Sequence, residues 1–431
     1  MAGEIHQRSW VEVTKELLED ALAISDAWSS ELDLRELIET ELRSSRLLGT
    51  SVDVVAIGKA AREMALAVRD VLGDDVRRQL VIVEEGPAFS LDADVEYVIG
   101  EHPLPGLGSL MAGERLVEFL ESSTNAECTL FLISGGASSL CALPQSPMEL
   151  DDLHDLFAAV LEAGADITTL NRLRAASSRI AGGAILRSVR TPRSLSLIMV
   201  DNVVSGERWV ASGLTYDYEP LRSDVEVLLG QIGRDAGPLA TTVLEALERR
   251  REVMRGTVTT THENRVIAEP SRVLVAARAE ATRRGYRVID IGSSFHADVQ
   301  DLVALMAELA AANHEGPVCV VGVGEVTLRV RGSGTGGRCQ EFAWRMAGVF
   351  DGDERDVVVV ARATDGRDFV KGIAGGWSDE TTLRRARDHG IDWSRVVEES
   401  DSFTALNELG QLIAGGRTGW NLCDVYLLVA T

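Results

Sequence analysis

Short apolar runs separated by helix-length stretches dominate the first 260 residues of the chain. The opening segment has apolar side chains at helical spacing, among them Trp10, Leu17 and Ala21, which predicts an amphipathic helix. Further on, apolar runs alternate with helical stretches. The runs that predict buried parallel strands are Val52–Ile57, 80–83, Val95–Ile99, 129–133 and 195–200. Such alternation is typical of a doubly wound α/β sheet.

A second α/β pattern follows a polar, turn-rich region at 216–237 and one more helical stretch. The elements that it predicts are a helix at 271–284 and strands at 286–291, 318–323, Val357–Ala363 and 425–429. A chain of 431 residues is long enough for two domains, each with its own core. We therefore expect one domain over 1–260 and another over 261–431.

The net charge and the composition limit which classes of molecule the protein is expected to bind. The formal net charge of −24 disfavours nucleic acid and anionic membranes, because like charges repel. No apolar run is long enough to span a membrane, and residues 1–10 lack the apolar core of a signal peptide. The five cysteines have no metal-binding spacing and are interpreted as reduced thiols. We expect a cytoplasmic enzyme for small molecules, with a homodimer left open as its assembly.

The sequence GSGTGGRCQE at 332–341 is the most informative segment. It follows a β-branched stretch and leads into an apolar helical run. Glycines such as Gly336 and Gly337 at a strand-to-helix junction let the backbone approach an anion and direct helix N–H groups towards it. Arg338 adds a planar cation that suits phosphate or carboxylate. A tight turn with a surface arginine is the structural alternative.

Similar junctions follow other predicted strands. Lys59 lies in GKAA at 58–61, directly after the first strand, in a chain with only three lysines. The spacing is not that of a Walker A loop, so a surface lysine at a helix start is the alternative. Ser134, Gly135 and Gly136 follow a later strand and place hydrogen-bond donors at another helix start. Turns use the same residue types, but the recurrence of such junctions favours anion sites.

Carboxylates also follow the strands. Asp365 comes after Val357–Ala363, and Asp201 follows the run at 195–200. Open α/β sheets bind ligands at this carboxyl edge, although an N-cap role is the alternative for each aspartate. Phosphoryl transfer requires cations and dipoles on the transferred group and carboxylates for Mg²⁺ and the attacking hydroxyl. The combined set of residues therefore favours a kinase.

The motifs, taken in order, resemble a known family. The matching segments are GKA at 58–60, HPLP at 102–105, SGG at 134–136, NRLR at 171–174, SGLT at 212–215, GE at 324–325, GGRCQE at 336–341, TDG at 364–366 and TGWNLCD at 418–424. Their order resembles that of the bacterial and archaeal glycerate 2-kinases, also called the MOFRL family. The resemblance extends from residue 52 to the C-terminus.

The resemblance implies a Rossmann-like N-terminal domain, a smaller C-terminal α/β domain and an active site in the cleft between them. It also implies ATP-dependent phosphorylation of the 2-hydroxyl of D-glycerate or a related hydroxy acid, with Mg²⁺. Lys59 and Arg338 match the catalytic lysine and arginine of the family, and Asp201 is a third catalytic candidate. Asp365 and Asp424 are the candidate Mg²⁺ ligands. The residues expected to bind substrate or nucleotide are Ser134, Gly135, Gly136, Asn171, Arg174, Glu325, Gly336, Gly337, Thr364, Asp365, Thr418 and Asn421.

Ala181, Cys339, Phe369, Arg417 and Trp420 depart from the residues usual in the family. Ala181 removes a cation, whereas Phe369 and Trp420 add bulk, so we expect these positions to change which acceptor or nucleotide fits. The same departures favour a second hypothesis, a paralogue of the same fold with a different acceptor or without catalysis. A Rossmann-type dehydrogenase is a third hypothesis, disfavoured because no GxGxxG follows the first strand.

Overall fold

The protein forms two compact α/β units, which confirms the predicted fold class. The computed structural model describes residues 10–86, 94–201, 206–235, 237–293, 295–313 and 315–431. The unit that we call the parallel-sheet unit spans Asp33–Ala268. The other, the mixed-sheet unit, joins the segment that ends at Leu32 to Glu269–Thr431.

Sixteen α-helices and thirteen strands are found in the described part of the chain. The helices are α1 (Trp10–Asp26), α2 (Trp28–Glu31), α3 (Leu34–Ser44), α4 (Ala61–Leu72), α5 (Leu107–Glu121), α6 (Ala137–Leu140), α7 (Leu150–Glu162), α8 (Ile167–Ala176), α9 (Arg222–Gln231), α10 (Pro238–Met254), α11 (Pro270–Arg283), α12 (Val299–Ala312), α13 (Arg338–Val349), α14 (Thr382–Asp388), α15 (Trp393–Glu399) and α16 (Ser402–Glu408). The strands are β1 (Val52–Ile57), β2 (Val76–Val83), β3 (Val95–Ile99), β4 (Cys128–Ile133), β5 (Arg193–Met199), β6 (Thr261–Ala268), β7 (Arg287–Asp290), β8 (Phe295–Asp298), β9 (Val318–Thr327), β10 (Val357–Ala363), β11 (Ile373–Asp379), β12 (Leu412–Ala414) and β13 (Asp424–Ala430). None of these helices is long and apolar enough to cross a membrane.

The parallel-sheet unit is built on six parallel strands in the order β3-β2-β1-β4-β5-β6. From β1 the chain moves outwards to β2 and β3, and then returns to the other side of β1 for β4, β5 and β6. This is the Rossmann strand order, and β1 and β4 flank its switch point. Ligands of such sheets bind outside the carboxyl ends of the strands at that point.

The centre of this sheet is fully buried. Every residue of β1 and β4 is buried, because helices cover both faces of a parallel sheet. Ile57 and Ile133, the last residues of these two strands, pack in one cluster with Leu116 of α5. A second apolar cluster holds α7 to α10 together, with Leu173 of α8 and Val243 of α10 among its members. Both strand ends and α8 are therefore fixed by packed side chains.

The predicted boundary at 260/261 differs from the observed one. The parallel-sheet unit extends to Ala268 because β6 pairs in parallel with β5 and completes the sheet. The strand THENRVIA escaped prediction because it lies at the sheet edge and begins by alternating exposed with half-buried residues, so polar residues dominate it. Helix α9 likewise lies within the region that the sequence pattern marked as polar turns.

The mixed-sheet unit has the strand order β12-β11-β10-β13-β9-β7, with β8 paired to β9. β13 runs antiparallel to both of its neighbours, β10 and β9. In the register, Asp424 faces Ala363 on one side and Gly324 on the other. The first residue of β13, the last residue of β10 and Gly324 of β9 are therefore neighbours in the sheet.

The N-terminal helix belongs to this second unit and not, as predicted, to the domain over 1–260. Helix α1 packs against β10, β13 and α11. Tyr286 Oη donates to Asp20 Oδ2 at 2.7 Å, and Arg284 forms an ion pair with the same carboxylate. Asp26 pairs with Arg362 of β10 at 3.1 Å. An amphipathic pattern predicts that a helix packs, but not which sheet it packs against.

The sequence pattern also missed β8, β11 and β12. β8 and β12 have four and three residues, too few for a periodicity. β11 carries two adjacent glycines, a residue type that is depleted in strands. A Cβ at Gly375 would lie 1.9 Å from the carbonyl oxygen of Ala361, so the absence of a side chain allows β10 and β11 to pair.

Candidate active site

The turns after β1 and β4 lie side by side at the switch point. Lys59 N donates to the Gly135 carbonyl at 2.9 Å, and Ala60 N donates to Ser134 Oγ at 3.0 Å. Gly58 has a φ of +124°, and a Cβ there would lie 2.3 Å from Ser134 Oγ. Only glycine therefore lets the two turns approach this closely. The two junctions recognised separately in the sequence form one structure.

The two turns present different groups. Lys59 and Ala60 use their N–H groups to hold the β4 turn, so the β1 turn contributes a cation rather than a row of N–H donors. Within the described residues, the N–H groups of Gly136 and Ala137, at the start of α6, have no backbone acceptor. A Cβ on Gly136 would lie 3.3 Å from Lys59 Cγ and 3.4 Å from His102 Cδ2. The side chains of Lys59 and His102 therefore both lie beside the glycine turn after β4.

Asn171 and Arg174 lie on α8 of the same unit. Asn171 Oδ1 accepts a hydrogen bond from Ser212 Oγ at 3.0 Å, and Ser212 Oγ lies 2.8 Å from Ser138 Oγ. The Arg174 guanidinium lies 5.8 Å from the ring centre of Phe157. Burial lowers the pKa of Arg174 to about 10. Its Nη2 is buried and has no hydrogen-bond partner among the described residues.

Asp201 lies at the same sheet edge. It follows β5, which runs parallel to β4, and it is half-buried. The adjoining segment 202–205, which aligns with a family motif, lies outside the described residues. The catalytic role expected of Asp201 therefore stays a prediction.

The mixed-sheet unit holds Arg338 between two carboxylates. Arg338 is the first residue of α13, and its guanidinium bonds Asp424 through Nε and Glu325 Oε1 through Nη2 at 2.9 Å. Tyr426 Oη also donates to Asp424 Oδ2, at 3.1 Å. The charge of buried Asp424 raises the pKa of Arg338 well above its ordinary value. The arginine is thus a permanent cation with a fixed direction.

Asp368 caps helix α13 from another loop. Its carboxylate accepts from Cys339 N at 3.1 Å and from Gln340 N and Nε2, both at 2.9 Å. The N-cap residue Gly337 has no side chain, and a Cβ there would lie 2.1 Å from Asp368 Oδ1. Burial, together with the charge of Asp424, raises the pKa of Asp368 to about 6. Sequence reasoning missed this residue, which fixes the helix that begins with Arg338.

The hydroxyl groups of two threonines that were expected to bind ligand form hydrogen bonds with the protein backbone instead. Thr364 Oγ1 donates to the Cys423 carbonyl at 2.7 Å and accepts from Leu422 N at 2.8 Å. Thr418 Oγ1 donates to the Thr364 carbonyl at 2.5 Å and accepts from Trp420 N at 3.2 Å. These bonds tie the end of β10 to the start of β13. Both threonines therefore support the loops around Asp365.

The remaining predicted residues of this unit lie nearby. Gly336 lies against the Ser402 side chain, and Asn421 is buried three residues before β13 begins. Asp365 is half-buried two residues after the end of β10, and its Oδ1 accepts from Arg367 N at 2.9 Å. Its charge also contributes to the raised pKa of buried Asp424. The edge of this sheet therefore brings together the arginine and the carboxylates that the sequence placed on three different segments.

The positions that depart from the family differ in their surroundings. Trp420 is only 7% exposed, and its ring lies edge-on to Trp28, with centroids 6.4 Å apart. This corrects the expectation that its bulk faces a ligand, because the ring fills the core of its own unit. Phe369 is 70% exposed with a φ of +62°. Cys339 is buried in α13, and Ala181 lines a cavity in the parallel-sheet unit.

The carboxylates fit a Mg²⁺ that is held largely by phosphates. No group of three or more His, Cys, Asp or Glu side chains in the described part of the chain is arranged to hold a metal. Mg²⁺ at phosphate sites usually takes one or two carboxylates, with water and phosphate oxygens as further ligands. Asp365 suits that role, whereas Asp424 is engaged by Arg338 and Tyr426. The two predicted metal ligands therefore differ in their hydrogen-bond partners.

Family models match most of the sequence. Residues 14–248 match the model described as a domain of unknown function (DUF4147), and residues 318–424 match the MOFRL family. The first match alone covers more than half of the chain. The chain belongs to the DUF4147 and MOFRL family. The resemblance recognised from the ordered motifs is thereby confirmed.

Named relatives cover nearly the whole chain. A D-glycerate 2-kinase of Thermotoga maritima is 28% identical over 384 residues, which make up 87% of this chain and 90% of that protein. A putative hydroxypyruvate reductase of Agrobacterium vitis is 30% identical, over 86% of this chain and 85% of that one. The crystal structure of a T. maritima glycerate kinase (EC 2.7.1.31) matches with a TM-score of 0.82 at 26% identity, covering 97% of this chain and 100% of that chain.

Proposed function

We propose that this member of the family is an ATP-dependent kinase that phosphorylates the 2-hydroxyl of D-glycerate or a related small hydroxy acid. The observation that carries the proposal is the convergence of Lys59 and the Ser134–Gly136 turn at the switch point of a Rossmann-ordered sheet. That position is where such sheets bind anionic ligands. The names of the T. maritima relatives support the same activity.

Lys59 and Arg338 are the two cations that we assign to the proposed reaction. Lys59 is a compact charge on a flexible stem, suited to a group that moves during transfer. Arg338 is held by Asp424 and Glu325, so its guanidinium is oriented before any ligand arrives. Charge that develops on the transferred phosphoryl group is stabilised most by groups that need no reorientation. Asp368 contributes by fixing the start of α13.

Asp365 is the carboxylate that would hold Mg²⁺ in this proposal, because it is half-buried at the sheet edge. Bound Mg²⁺ neutralises charge on the nucleotide phosphates. Asp424 acts instead as the positioning residue for Arg338. We assign the third catalytic candidate, Asp201, to orienting the acceptor hydroxyl.

The name of the A. vitis relative raises a second activity, reduction of hydroxypyruvate. The turn after β1 reads GKAA, without the glycine spacing that brings a dinucleotide pyrophosphate against a helix start. We therefore favour the kinase. Titration with NADH separates the two activities, since only the reductase requires its binding.

Lys59→Ala and Arg338→Ala test the assignment. We expect each to lower kcat by about 10²-fold or more, because each removes a charge that stabilises the transferred phosphoryl group. ADP release is measured with ATP, Mg²⁺ and a panel of small hydroxy acids that includes D-glycerate. Lys371→Ala and Arg329→Ala, which change exposed cations of the same types, are the matched controls.

Normal turnover in both active-site variants would refute the site assignment. Turnover with an acid other than D-glycerate would assign the altered loops to specificity. No turnover by the unaltered protein, with nucleotide still bound, would favour the paralogue without catalysis.

A further inference from the structure

Phe369 is an exposed aromatic side chain in the loop between β10 and β11 of the mixed-sheet unit. Its exposed fraction is 70%, whereas every other phenylalanine or tryptophan side chain that the structure describes is buried or half-buried. An apolar ring of this size gains free energy when it leaves water, so its exposure is unfavourable. The ring therefore presents an apolar face that nothing in its own unit covers.

The backbone of Phe369 is also in an unfavourable conformation. Its φ of +62° lies in the left-handed region, which a bulky side chain rarely adopts. Two other positions of the same loop, Gly366 and Gly372, have φ values of +78° and +84°. The loop thus uses glycine, which adopts this conformation without strain, at its other left-handed positions. Strain of this kind is a reason to look for a function at residue 369.

Hydrogen bonds on both sides fix the turn around Phe369. The Val370 N–H donates to the Asp368 carbonyl at 2.7 Å, which closes a turn of three residues with Phe369 at its centre. The same carbonyl accepts from Gln340 Nε2 at 2.8 Å, and the Asp368 N–H donates to the Ile373 carbonyl at 2.7 Å. These bonds require a left-handed backbone at residue 369, but they do not require an aromatic ring.

The turn brings the ring close to the start of α13. Asp368, one residue earlier, caps the helix that begins with Arg338. The same loop carries Asp365, the carboxylate that we propose as the Mg²⁺ ligand. An exposed ring beside an oriented arginine and a carboxylate suits a ligand that has a flat apolar part at one end and phosphates at the other.

We propose that Phe369 stacks on the nucleobase of a nucleotide. A base is flat, and stacking on an aromatic side chain removes a face of each from water. A small hydroxy acid has no flat apolar surface of that size and would leave the ring largely exposed. Base binding therefore offsets the unfavourable exposure of the ring. That the nucleotide is the phosphoryl donor rests on the proposed kinase activity, whereas the stacking contact does not.

Isothermal titration calorimetry compares ADP with pyrophosphate, which lacks the nucleoside, each in the presence of Mg²⁺. Phe369→Gly should weaken ADP binding at least about fivefold and leave pyrophosphate binding unchanged, because it removes only the contact with the base. Its melting temperature should stay constant or rise, since glycine relieves the backbone strain. Leu305→Ala, which shortens an exposed apolar side chain on α12 of the same unit, is the matched control and should change neither affinity.

Two further variants separate a flat ring from apolar bulk. Phe369→Leu keeps an apolar side chain at the same position, yet it should weaken ADP binding nearly as much as Phe369→Gly. Phe369→Trp supplies a larger ring and should bind ADP at least as tightly as the unaltered protein. Thermal unfolding of each variant verifies that it is folded.

The inference is overturned if ADP does not bind, if Phe369→Gly or Phe369→Leu binds it as tightly as the unaltered protein, or if Phe369→Gly weakens pyrophosphate binding to the same extent. A raised KM for the acid with unchanged ADP binding would also overturn it, since the ring would then contact the acceptor. ADP binding that depends on the ring, without phosphoryl transfer to any acid, would refute the kinase but keep the stacking site. Phosphoryl transfer with an unchanged KM for ATP in Phe369→Gly would do the reverse.

Discussion

Arg174 and Arg338 are both half-buried arginines at candidate ligand sites, but the protein surrounds them differently. Arg338 is held by two carboxylates and starts a helix whose first turn is capped by Asp368. Arg174 has an aromatic ring beside it and no carboxylate partner among the described residues. Burial lowers the pKa of Arg174, whereas Asp424 raises that of Arg338.

The two arginines differ in how far the fold fixes their orientation before a ligand binds. Around Arg338 the charges are balanced, so its orientation is part of the folded structure. Around Arg174 no carboxylate among the described residues offsets the charge of the guanidinium. The charge of Arg338 is therefore compensated within the fold, whereas that of Arg174 is not.

Removal of a carboxylate from Arg338 should have the largest effect. Asp424→Asn leaves the guanidinium with a neutral partner in a buried setting, so we expect a loss of about 3 kcal/mol in the free energy of unfolding. Glu325→Gln, at a 30% exposed carboxylate, should cost less than about 1 kcal/mol. Urea denaturation measures both. Equal losses would show that Asp424 is not the dominant partner.

The free energy of unfolding should depend on pH because burial makes the ionised form of Asp368 unfavourable. Its pKa of about 6 in the folded protein lies above the ordinary value of 3.8. Between these values the folded protein keeps a proton that the unfolded chain has lost, so stability should fall as pH rises from 4 to 6, by on the order of 2 kcal/mol relative to Asp368→Asn.

Urea denaturation at several pH values measures this slope. Asp351 is the control of opposite sign, because Arg387 lowers its pKa, and its stabilisation should be lost as pH falls through that lowered value. A flat difference between the unaltered protein and Asp368→Asn across pH 4–6 would contradict the assignment.

The smallest effect, of opposite sign, is expected at Arg174. Arg174→Met removes a buried cation that has no partner and keeps the length of the apolar stem. We expect the free energy of unfolding to stay constant or to rise by about 1 kcal/mol. A loss comparable to that of Asp424→Asn would mean that Arg174 is structural and would remove the contrast between the two arginines.

Much of the fold followed from periodicity. β1, β3 and β10 have the bounds that the sequence pattern predicts, since each is a short apolar run between turns. β6 could not be predicted in this way, because an edge strand exposes alternate residues and its sequence is therefore mostly polar. The sheet against which α1 packs could not be predicted from a local pattern either. The ion pairs of Asp20 and Asp26 join segments more than 260 residues apart in the sequence.

The parts of the candidate site that lie in turns directly after strands could be predicted from the sequence. Lys59 and the Ser134–Gly136 turn were recognised separately, and the strand order brings them together. Asp368 was missed because it takes the capping role of the N-cap residue Gly337, which is 31 positions earlier and has no side chain to suggest a cap. The second aspartate of ATDGRD was the available signal. Trp420 was misplaced because bulk alone does not tell a core residue from a ligand contact.

The position of phosphoryl transfer is the most direct test of the proposed activity. We would incubate the protein with ATP, Mg²⁺ and either D-glycerate or 2-hydroxybutyrate, and record proton-coupled ³¹P NMR spectra of the products. Transfer to the 2-hydroxyl gives a phosphoester doublet, because a single proton is attached to that carbon, and we expect this doublet. A triplet from D-glycerate, which marks the terminal hydroxyl, or ATP that stays intact with both acids, would contradict the account.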